Sequence, residues 1–326
     1  MTENDITECR PGPRRRRIGF VLVDGFALMS TAAAVEPLRA ANLLAGTTLY
    51  DLVFLAPDGA PPAASVGAGF PTTPLGRARR AFDTVFVVAG GNPLTDPDPG
   101  LAGPLRALAR HGVALGGISG GAVILARAGL MADRRFTVHW QHLDALREMS
   151  DGFLLERRLF VIDRDRYTCA GGVAPLDMMH AMLVAQHGLD LARAVSDWFI
   201  HTRIREADDP QRSGPGERYR VHHPAILAAI DLMQSHVADP LSLSQIAALT
   251  GLSARQVHRL FLDHLGRPPM RFYRDLRVET AEALLTQSAL PVGAVAAATG
   301  FASPAHFSRA FRAARGVSPR HARLSV

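Results

Sequence analysis

Two related stretches decide the fold of the C-terminal region: LSLSQIAALTGLSARQVHRLFLDHLG, Leu241–Gly266, and LPVGAVAAATGFASPAHFSRAFRAARG, Leu290–Gly316. Each contains a short apolar helix, a Thr-Gly turn, a serine suited to cap a helix, and a second helix with arginines on one face. This pattern predicts a helix-turn-helix, whose second helix enters the major groove of DNA. A predicted helix, Pro269–Gln287, separates the two copies, and the duplication makes the prediction specific.

The second helix of each copy is predicted to be amphipathic. Val257 and Phe261 in the first copy, and Phe307 and Phe311 in the second, recur at helical spacing and predict the buried face. Arginine on the opposite face pairs with guanine edges or with phosphates. The alternative is that these are the solvated faces of a helical bundle. The candidate DNA contacts are Arg255, Gln256, His258, Arg259, Ala305, His306, Arg309 and Arg312.

Charge is distributed unevenly along the 326 residues. All 36 basic residues are arginines, and the net charge is +5 over residues 222–326 but −1 over residues 18–221. A basic C-terminal region beside a nearly neutral body predicts that a polyanion binds at that end. A general preference for arginine over lysine explains the missing lysines but not the asymmetry.

The sequence predicts a cytoplasmic protein that does not enter a membrane. Its two cysteines, Cys9 and Cys169, lie far apart, which argues against a disulfide framework and fits a reducing compartment. No apolar window approaches the length of a transmembrane helix. The arginines before IGFVLVDGFALM imitate an export signal, but Asp24 interrupts the apolar run. We therefore expect Arg17–Val23 to form a buried first strand.

Residues 18 to about 200 alternate between strand and helix patterns. Such alternation predicts a parallel sheet covered by helices on both faces, an α/β sandwich. The predicted strands are Ile18–Val23, Tyr50–Ala56, Thr84–Ala89, Val113–Ile118, Arg135–Trp140 and the hairpin strands Arg158–Ile162 and Tyr167–Ala170. The predicted helices are Thr31–Leu44, Leu101–His111, Gly121–Met131 and Ala174–His187.

The strand predicted at Val113–Ile118 runs directly into a helix through Gly117-Ile118-Ser119-Gly120-Gly121. A G-x-S-x-G sequence between a strand and a helix is typical of a nucleophile elbow, in which a strained turn presents the serine. Ligands of open parallel sheets bind at the carboxyl ends of strands, and the adjacent helix N-terminus attracts anions. Further residues expected at this edge are Gly90, Gly91 and Asn92 after a strand, Glu36 on the first helix, and His139 and Trp140 at a strand end.

The elbow with His139 and Glu36 resembles the class I glutamine amidotransferase-like superfamily, which includes the PfpI-type proteases. AVEPLRAAN, GGISGGAVILARAGLMADRRFTVHWQH, RYTCAGGVAPLDMMHAML and SDWFIHTRIREADDPQR resemble its regulator branch, and the tandem motifs through Gly316-Val317-Ser318-Pro319 resemble the AraC/XylS family. The resemblance implies a flavodoxin-like, amidotransferase-like domain and an all-α DNA-binding domain. It also implies that the protein is similar to activators of catabolic genes that respond to arginine, carnitine or glycine betaine. Base-edge contacts are implied for Arg255, His258, Arg259, His306 and Arg309, while Ala305 departs from an expected polar residue.

Ser119 stands where the enzymes of that superfamily carry a cysteine. A hydroxyl near its free pKa is a weak nucleophile, so the alternatives are a serine hydrolase with His139 as base, a ligand pocket without catalysis, and a structural turn. The non-catalytic pocket is the favoured interpretation. Its predicted ligand contacts are Glu36, Gly90, Gly91, Asn92, Ser119, Gly120, His139 and Trp140.

Several of these residues have alternative explanations. Instead of contacting a ligand, Glu36 could pair with or cap its own helix, and His139 could be a hydrogen-bonded core histidine. Trp140 and, with less support, Trp198 are either core residues or cation–π walls for an ammonium ligand. His139 and His142 lack an accompanying cysteine or acid cluster, so neither a metal nor a cofactor is expected.

The predicted organisation is a disordered basic tail over 1–16, a sensing domain over 17–205, a linker over 206–221 and a DNA-binding domain over 222–326. The predicted function is a non-enzymatic transcription regulator, more specifically an activator. The expected partners are promoter DNA, a small amino-acid or quaternary-amine effector, RNA polymerase and a second copy of the chain. The alternative is a serine hydrolase or amidase using Ser119 and His139, with an appended DNA-binding domain.

Overall fold

The computed structural model describes residues 14–77, 82–94, 100–150, 152–288 and 290–324. Its internal contacts divide the chain into two compact units. The first unit contains residues 1–139 and 150–209, and the second contains residues 140–149 and 210–326. The segment 140–149, which was predicted to lie within the sensing domain, therefore packs with the second unit.

The first unit is built on a seven-stranded sheet with the order β3-β2-β1-β4-β5-β9-β8. All neighbouring strands are parallel except the β8–β9 hairpin. The elements up to residue 198 are, in chain order, β1 (Arg16–Leu22), α1 (Leu28–Leu44), β2 (Tyr50–Ala56), β3 (Thr73–Pro74), β4 (Thr84–Ala89), α2 (Ala102–Arg110), β5 (Ala114–Ser119), α3 (Gly121–Arg127), β6 (Arg135–Phe136), α4 (Leu143–Met149), β7 (Leu154–Leu155), β8 (Phe160–Asp163), β9 (Arg166–Cys169), α5 (Ala174–His187) and α6 (Leu189–Trp198).

The core of the first unit forms because the central strands are apolar on both faces. Every residue of β4 is buried. Helices α1, α5 and α6 contact one another and share a continuous buried cluster with β1 and β4, whereas α2 and α3 contact each other and β5. The predicted α/β sandwich with a parallel sheet is thus confirmed.

The strand predicted over Arg135–Trp140 is much shorter in the structure, because β6 ends at Phe136. The Thr137 N–H donates to the Thr168 hydroxyl at 3.0 Å, and the Thr137 hydroxyl donates to the Arg158 carbonyl oxygen at 2.7 Å. Side-chain hydrogen bonds thus replace the strand ladder at this point. His139 consequently lies in an irregular segment, and a 3-10 turn begins at Trp140.

The second unit is all-helical and contains α4 as well as both predicted motifs. Its remaining helices are α7 (Pro215–Tyr219), α8 (Pro224–Ser235), α9 (Leu243–Leu249), α10 (Ala254–Leu265), α11 (Pro269–Gln287), α12 (Val292–Ala298), α13 (Pro304–Arg315) and α14 (Pro319–Leu324). We call α9–α10 the first motif and α12–α13 the second motif. In both motifs a serine caps the recognition helix, and a glycine with positive φ ends it.

Two segments were predicted to be irregular, the tail 1–16 and the linker 206–221, and the structure describes the first in part and the second in full. Residues 1–13 of the predicted tail lie outside the described residues, while Arg14 pairs with Asp83 at 2.8 Å and Arg16 begins β1. The second half of the predicted linker 206–221 forms α7 in the second unit. There the Tyr219 ring packs against the Phe272 ring in a T-shaped arrangement, which gives this charged, glycine-containing segment an apolar contact with α11.

Candidate functional site: a sheet-edge elbow and two recognition helices

Four loops of the first unit follow the carboxyl ends of the neighbouring parallel strands β1, β4, β5 and β9. They contact closely because glycines occupy the points of approach. A methyl group added to Gly90, after β4, would lie 2.3 Å from the Gly25 carbonyl oxygen, after β1. One added to Gly171, after β9, would lie 2.7 Å from Ser119 Cβ. The loops after β4 and β5, which carry Gly90, Gly91, Asn92, Ser119 and Gly120, therefore lie among closely packed strand ends at one edge of the sheet.

Ser119 lies at the centre of this site in a strained conformation. Its φ of 55° places a non-glycine residue in the left-handed region at the point where β5 becomes α3. Gly121 allows this turn, since a methyl group there would lie 1.9 Å from the Val87 carbonyl oxygen. The predicted elbow geometry is present, with the half-buried serine at its apex.

Cys169 lies beside the elbow, in surroundings that disfavour its thiolate form. Its thiol is fully buried and receives hydrogen bonds from the backbone N–H groups of Gly171 and Ser119. Burial nevertheless raises the pKa of the Cys169 thiol to about 12. Because the thiolate is the reactive form, Cys169 does not supply the nucleophile that Ser119 lacks.

Three of the other predicted pocket residues lie beside the elbow, and two more, Glu36 and His139, lie on separate segments. Gly90, Gly91 and Asn92 follow β4 beside the elbow, and the Asn92 side-chain oxygen accepts from the Leu94 N–H at 3.2 Å. Glu36 lies further along α1, where its half-exposed carboxylate pairs with Arg39 at 2.7 Å. His139 is half-buried and is the last residue of the first unit before the segment 140–149.

Ser30 is a candidate site residue that the sequence analysis missed. It lies in the first turn of α1, close in the chain to Ala27, which approaches Gly90. Its side chain is buried, and its hydroxyl has no hydrogen-bond partner among the described residues. A buried hydroxyl without a partner carries a desolvation cost that a bound polar ligand would relieve. No sequence signal distinguishes it from the neighbouring Thr31, which bonds back to Ala27.

The two tryptophans lie in different units. Trp140 belongs to the second unit, where the Arg212 guanidinium stacks over its ring at 3.8 Å. The sequence left open whether Trp140 is a core residue or a cation–π wall for an ammonium ligand, and Arg212 occupies a cation–π position over the ring. Trp198 ends α6 in the first unit, and half of its surface is exposed.

The first recognition helix, α10, presents the predicted face to solvent. Val257 and Phe261 are buried, whereas Arg255, His258 and Arg259 are exposed. Gln256 is exposed as well, but its side-chain oxygen accepts from the Ser253 N–H at 2.8 Å, and Ser253 caps the helix in return. This reciprocal pair is a capping box, a role that the sequence analysis did not assign to Gln256.

The second recognition helix, α13, has the same architecture with fewer polar groups. Phe307 and Phe311 are buried, and Ala305, His306, Arg309 and Arg312 are exposed. The His306 ring contacts the edge of Phe301 with their centroids 5.6 Å apart. Within the described ranges no helix is long and apolar enough to cross a membrane, and no cluster of three or more His, Cys, Asp or Glu residues is arranged to hold a metal.

Comparisons with known proteins agree with this architecture. Residues 246–325 match a family model described as a helix-turn-helix domain. The chain is 47% identical over 298 residues to the HTH-type transcriptional regulator GlxA of Rhizobium meliloti (strain 1021), covering 91% of this chain and 92% of that protein. A crystal structure of an AraC family transcriptional regulator from Pseudomonas putida covers 56% of this chain and 99% of its own, with 29% identity and a TM-score of 0.52. The chain is an AraC-family transcriptional regulator.

The fold of the N-terminal unit extends this assignment. The crystal structure of a ThiJ/PfpI family protein from Pseudomonas syringae matches with a TM-score of 0.52 and 19% identity, covering 77% of this chain and 98% of its own. At that identity the likeness concerns the fold. This AraC-family regulator therefore combines an N-terminal domain with the fold of a ThiJ/PfpI family protein and a DNA-binding helical domain.

Proposed function

We propose that this AraC-family regulator is controlled by a small amino acid or quaternary amine bound at the elbow, and that it activates its promoter as a homodimer that contacts RNA polymerase. The observation that carries the proposal is Ser119, a hydroxyl held at φ 55° where four strand ends meet. Backbone strain of this kind costs about 1–3 kcal/mol and persists where the surroundings impose it, commonly at ligand sites.

The proposed pocket combines backbone groups, two hydroxyls, an amide and an imidazole. Its members are Ser30, Gly90, Gly91, Asn92, Ser119, Gly120 and His139. Hydroxyl groups donate to carboxylate oxygens, so the proposed contact of Ser30 and Ser119 is the carboxylate that arginine, carnitine and glycine betaine all possess. Glu36 and Trp140 already pair with Arg39 and Arg212, so the proposed pocket does not depend on them.

On the DNA side, we assign sequence reading to the exposed residues of α10 and α13. Arg255, His258 and Arg259 in the first motif, and His306 and Arg309 in the second, are the proposed base contacts. Arg312 is the proposed phosphate contact. Gln256 stabilises the start of α10 through its capping box, and Ala305 offers no hydrogen bond to a base, so the second motif discriminates less.

The effector proposal is tested by thermal unfolding of the full chain with arginine, carnitine and glycine betaine, because a ligand of the native state raises the transition temperature. We expect one of the three to raise it in the wild type and, by a smaller amount, in Ser119→Ala, which lacks one pocket hydroxyl, with the ligand recovered unchanged. A panel in which none shifts the transition would remove these ligands from consideration.

A serine hydrolase is the second candidate, because the same strained turn presents nucleophiles in enzymes. A covalent serine probe that labels the wild type but not Ser119→Ala, together with turnover of an amide or ester, would favour the hydrolase. We expect no labelling, since a serine hydroxyl is a weaker nucleophile than the cysteine thiolate that the resembling enzymes carry at this position.

A further inference from the structure

The two helix-turn-helix motifs have the same local turn but different surroundings. Gly251 and Gly300 occupy equivalent positions, with φ of 69° and 70°. A methyl group added to Gly251 would meet nothing within 4 Å. One added to Gly300 would lie 2.6 Å from Pro240 Cδ and 2.6 Å from the Val237 carbonyl oxygen. The turn of the second motif is therefore packed against the loop that leads into the first, an approach that we call the turn contact.

Arg277 holds the same turn from the side of α11. Its Nε donates to the Thr299 carbonyl oxygen at 2.8 Å, and its guanidinium stacks over the Phe301 ring at 4.2 Å. Burial lowers the pKa of Arg277, and one of its terminal nitrogens has no hydrogen-bond partner among the described residues. A half-buried arginine directed at a backbone carbonyl fixes the turn in one orientation.

Tyr273, one helical turn earlier on α11, holds the other side of the turn contact. Its hydroxyl donates to the His236 carbonyl oxygen and accepts from the Leu241 N–H at 3.3 Å. The loop 236–241 is thus bound to α11 at both ends, with Val237 and Pro240 between the bonds. One helix therefore fixes both partners of the turn contact.

We propose that the turn contact and Arg277 fix the second motif relative to the first, so that Gly300 and Arg277 are positioning residues that set the spacing between the two DNA segments read by one chain. Recognition helices that enter successive major grooves lie about 34 Å apart. A fixed pair accepts one spacing, because inserting two base pairs moves one segment by about 7 Å and rotates it by roughly 70°. A loosely joined pair accepts several spacings at lower affinity, since the gain from binding both segments depends on how the link restricts them.

The test uses the full chain and a duplex that it selects from a random library, with the two segments protected by one chain located by footprinting. Duplexes with two base pairs inserted or removed between those segments, and one with the second segment scrambled, are then compared. We expect insertion to weaken wild-type binding by about tenfold or more, approaching the affinity for the scrambled duplex. Gly251→Ala is the matched control, because it introduces the same left-handed alanine without the collision.

Gly300→Ala is expected to bind the selected duplex about fivefold to tenfold more weakly and to lose less than about threefold on insertion, while binding the scrambled duplex like Gly251→Ala. Arg277→Gln should show the same reduced dependence on spacing, and it keeps the test valid if Gly300→Ala does not fold. The inference is overturned if the folded variants retain the wild-type dependence on spacing, or if the wild type itself tolerates the insertion.

Discussion

Ser119 has a backbone conformation, with φ of 55°, that its own side chain disfavours. Arg164 is another described non-glycine residue with positive φ, and it lies in the β8–β9 turn. Ser119, in contrast, joins a buried strand to a helix. Such strain is maintained only when neighbours exclude the alternatives. Gly121 and Gly171 supply that restraint, because neither position has room for a side chain.

The restraint at the elbow predicts different costs for two adjacent glycines. Gly171→Ala would place a methyl group 2.9 Å from the Ser119 hydroxyl oxygen, whereas at Gly172 nothing lies within 4 Å. Both have positive φ, so both substitutions carry conformational strain, of about 1 kcal/mol at Gly172 (φ 60°) and more at Gly171, whose φ of 98° lies outside the left-handed region. We expect Gly171→Ala to lower the free energy of unfolding by about 1–3 kcal/mol more than Gly172→Ala, through overpacking together with this added strain. Urea denaturation measures the difference, and equal costs would contradict the close approach.

Gln256 and Arg259 are both exposed on α10 but have different structural roles. Gln256→Ala removes half of a capping box and should cost about 0.5–1 kcal/mol of stability without relaxing sequence preference. Arg259→Ala should leave stability nearly unchanged and cost about 1–3 kcal/mol of discrimination at one base pair. Denaturation together with binding to a set of singly substituted operators separates the two. A relaxed base preference in Gln256→Ala would show that its side chain leaves the cap to read DNA.

Among the elements, α5 connects the candidate site to the end of the first unit. It begins three residues after Gly171, and its buried Asp177 accepts hydrogen bonds from His201 at 2.9 Å and from the Arg205 guanidinium at 2.6 Å. A buried carboxylate satisfied in this way fixes the segment that ends the unit. His180, also on α5, lies 2.9 Å from the Ser196 hydroxyl of α6.

The contact between α5 and α6 predicts a pH dependence of stability. Burial lowers the pKa of His180 below its ordinary value of 6.5, so the unfolded chain binds more protons between the two values. The stabilisation is complete above the unfolded pKa and is lost as the pH falls through the folded one. We expect wild-type stability to fall more steeply than that of His180→Gln as the pH drops below about 6.5, the ordinary value at which the unfolded chain begins to take up the proton. Parallel pH profiles for the two proteins would contradict this.

Element boundaries were predictable where the sequence carries its own stop signals. The bounds of α5 and α11 match the prediction, because a proline opens each helix and Gly188 and Ser288 follow their ends. The strand predicted over Arg135–Trp140 was too long, because its end is set by Thr168 and Arg158, which are distant in the chain. The capping boxes of α9 and α10 were predictable in principle from Ser-x-x-Gln, but only the serine of α10 was recognised.

At the scale of the molecule, sequence alone predicted two domains and the location of the elbow. The G-x-S-x-G pattern identified Ser119 because the five residues of the motif are contiguous in the chain. The approaches of Gly171 to Ser119 and of Gly90 to Gly25 depend on strand order, so neither they nor Ser30 could be read from the sequence. The same limit applies to Trp140, which packs with residues 210–326 despite lying among first-unit residues in the chain.

The chain's two tryptophans allow this division to be tested, because each unit contains one. In Trp198→Phe the remaining Trp140 should report unfolding of the second unit, and in Trp140→Phe the remaining Trp198 should report the first. Adding Arg212→Gln removes the guanidinium stacked on Trp140, and we expect it to destabilise the Trp140 transition by about 0.5–2 kcal/mol while leaving the Trp198 transition in place. Operator DNA should stabilise the transition seen by Trp140, since a ligand stabilises the unit that binds it. If Arg212→Gln instead shifted the Trp198 transition, residues 140–149 would belong energetically to the sensing domain, and the cation–π interpretation of Trp140 as an effector contact would regain support.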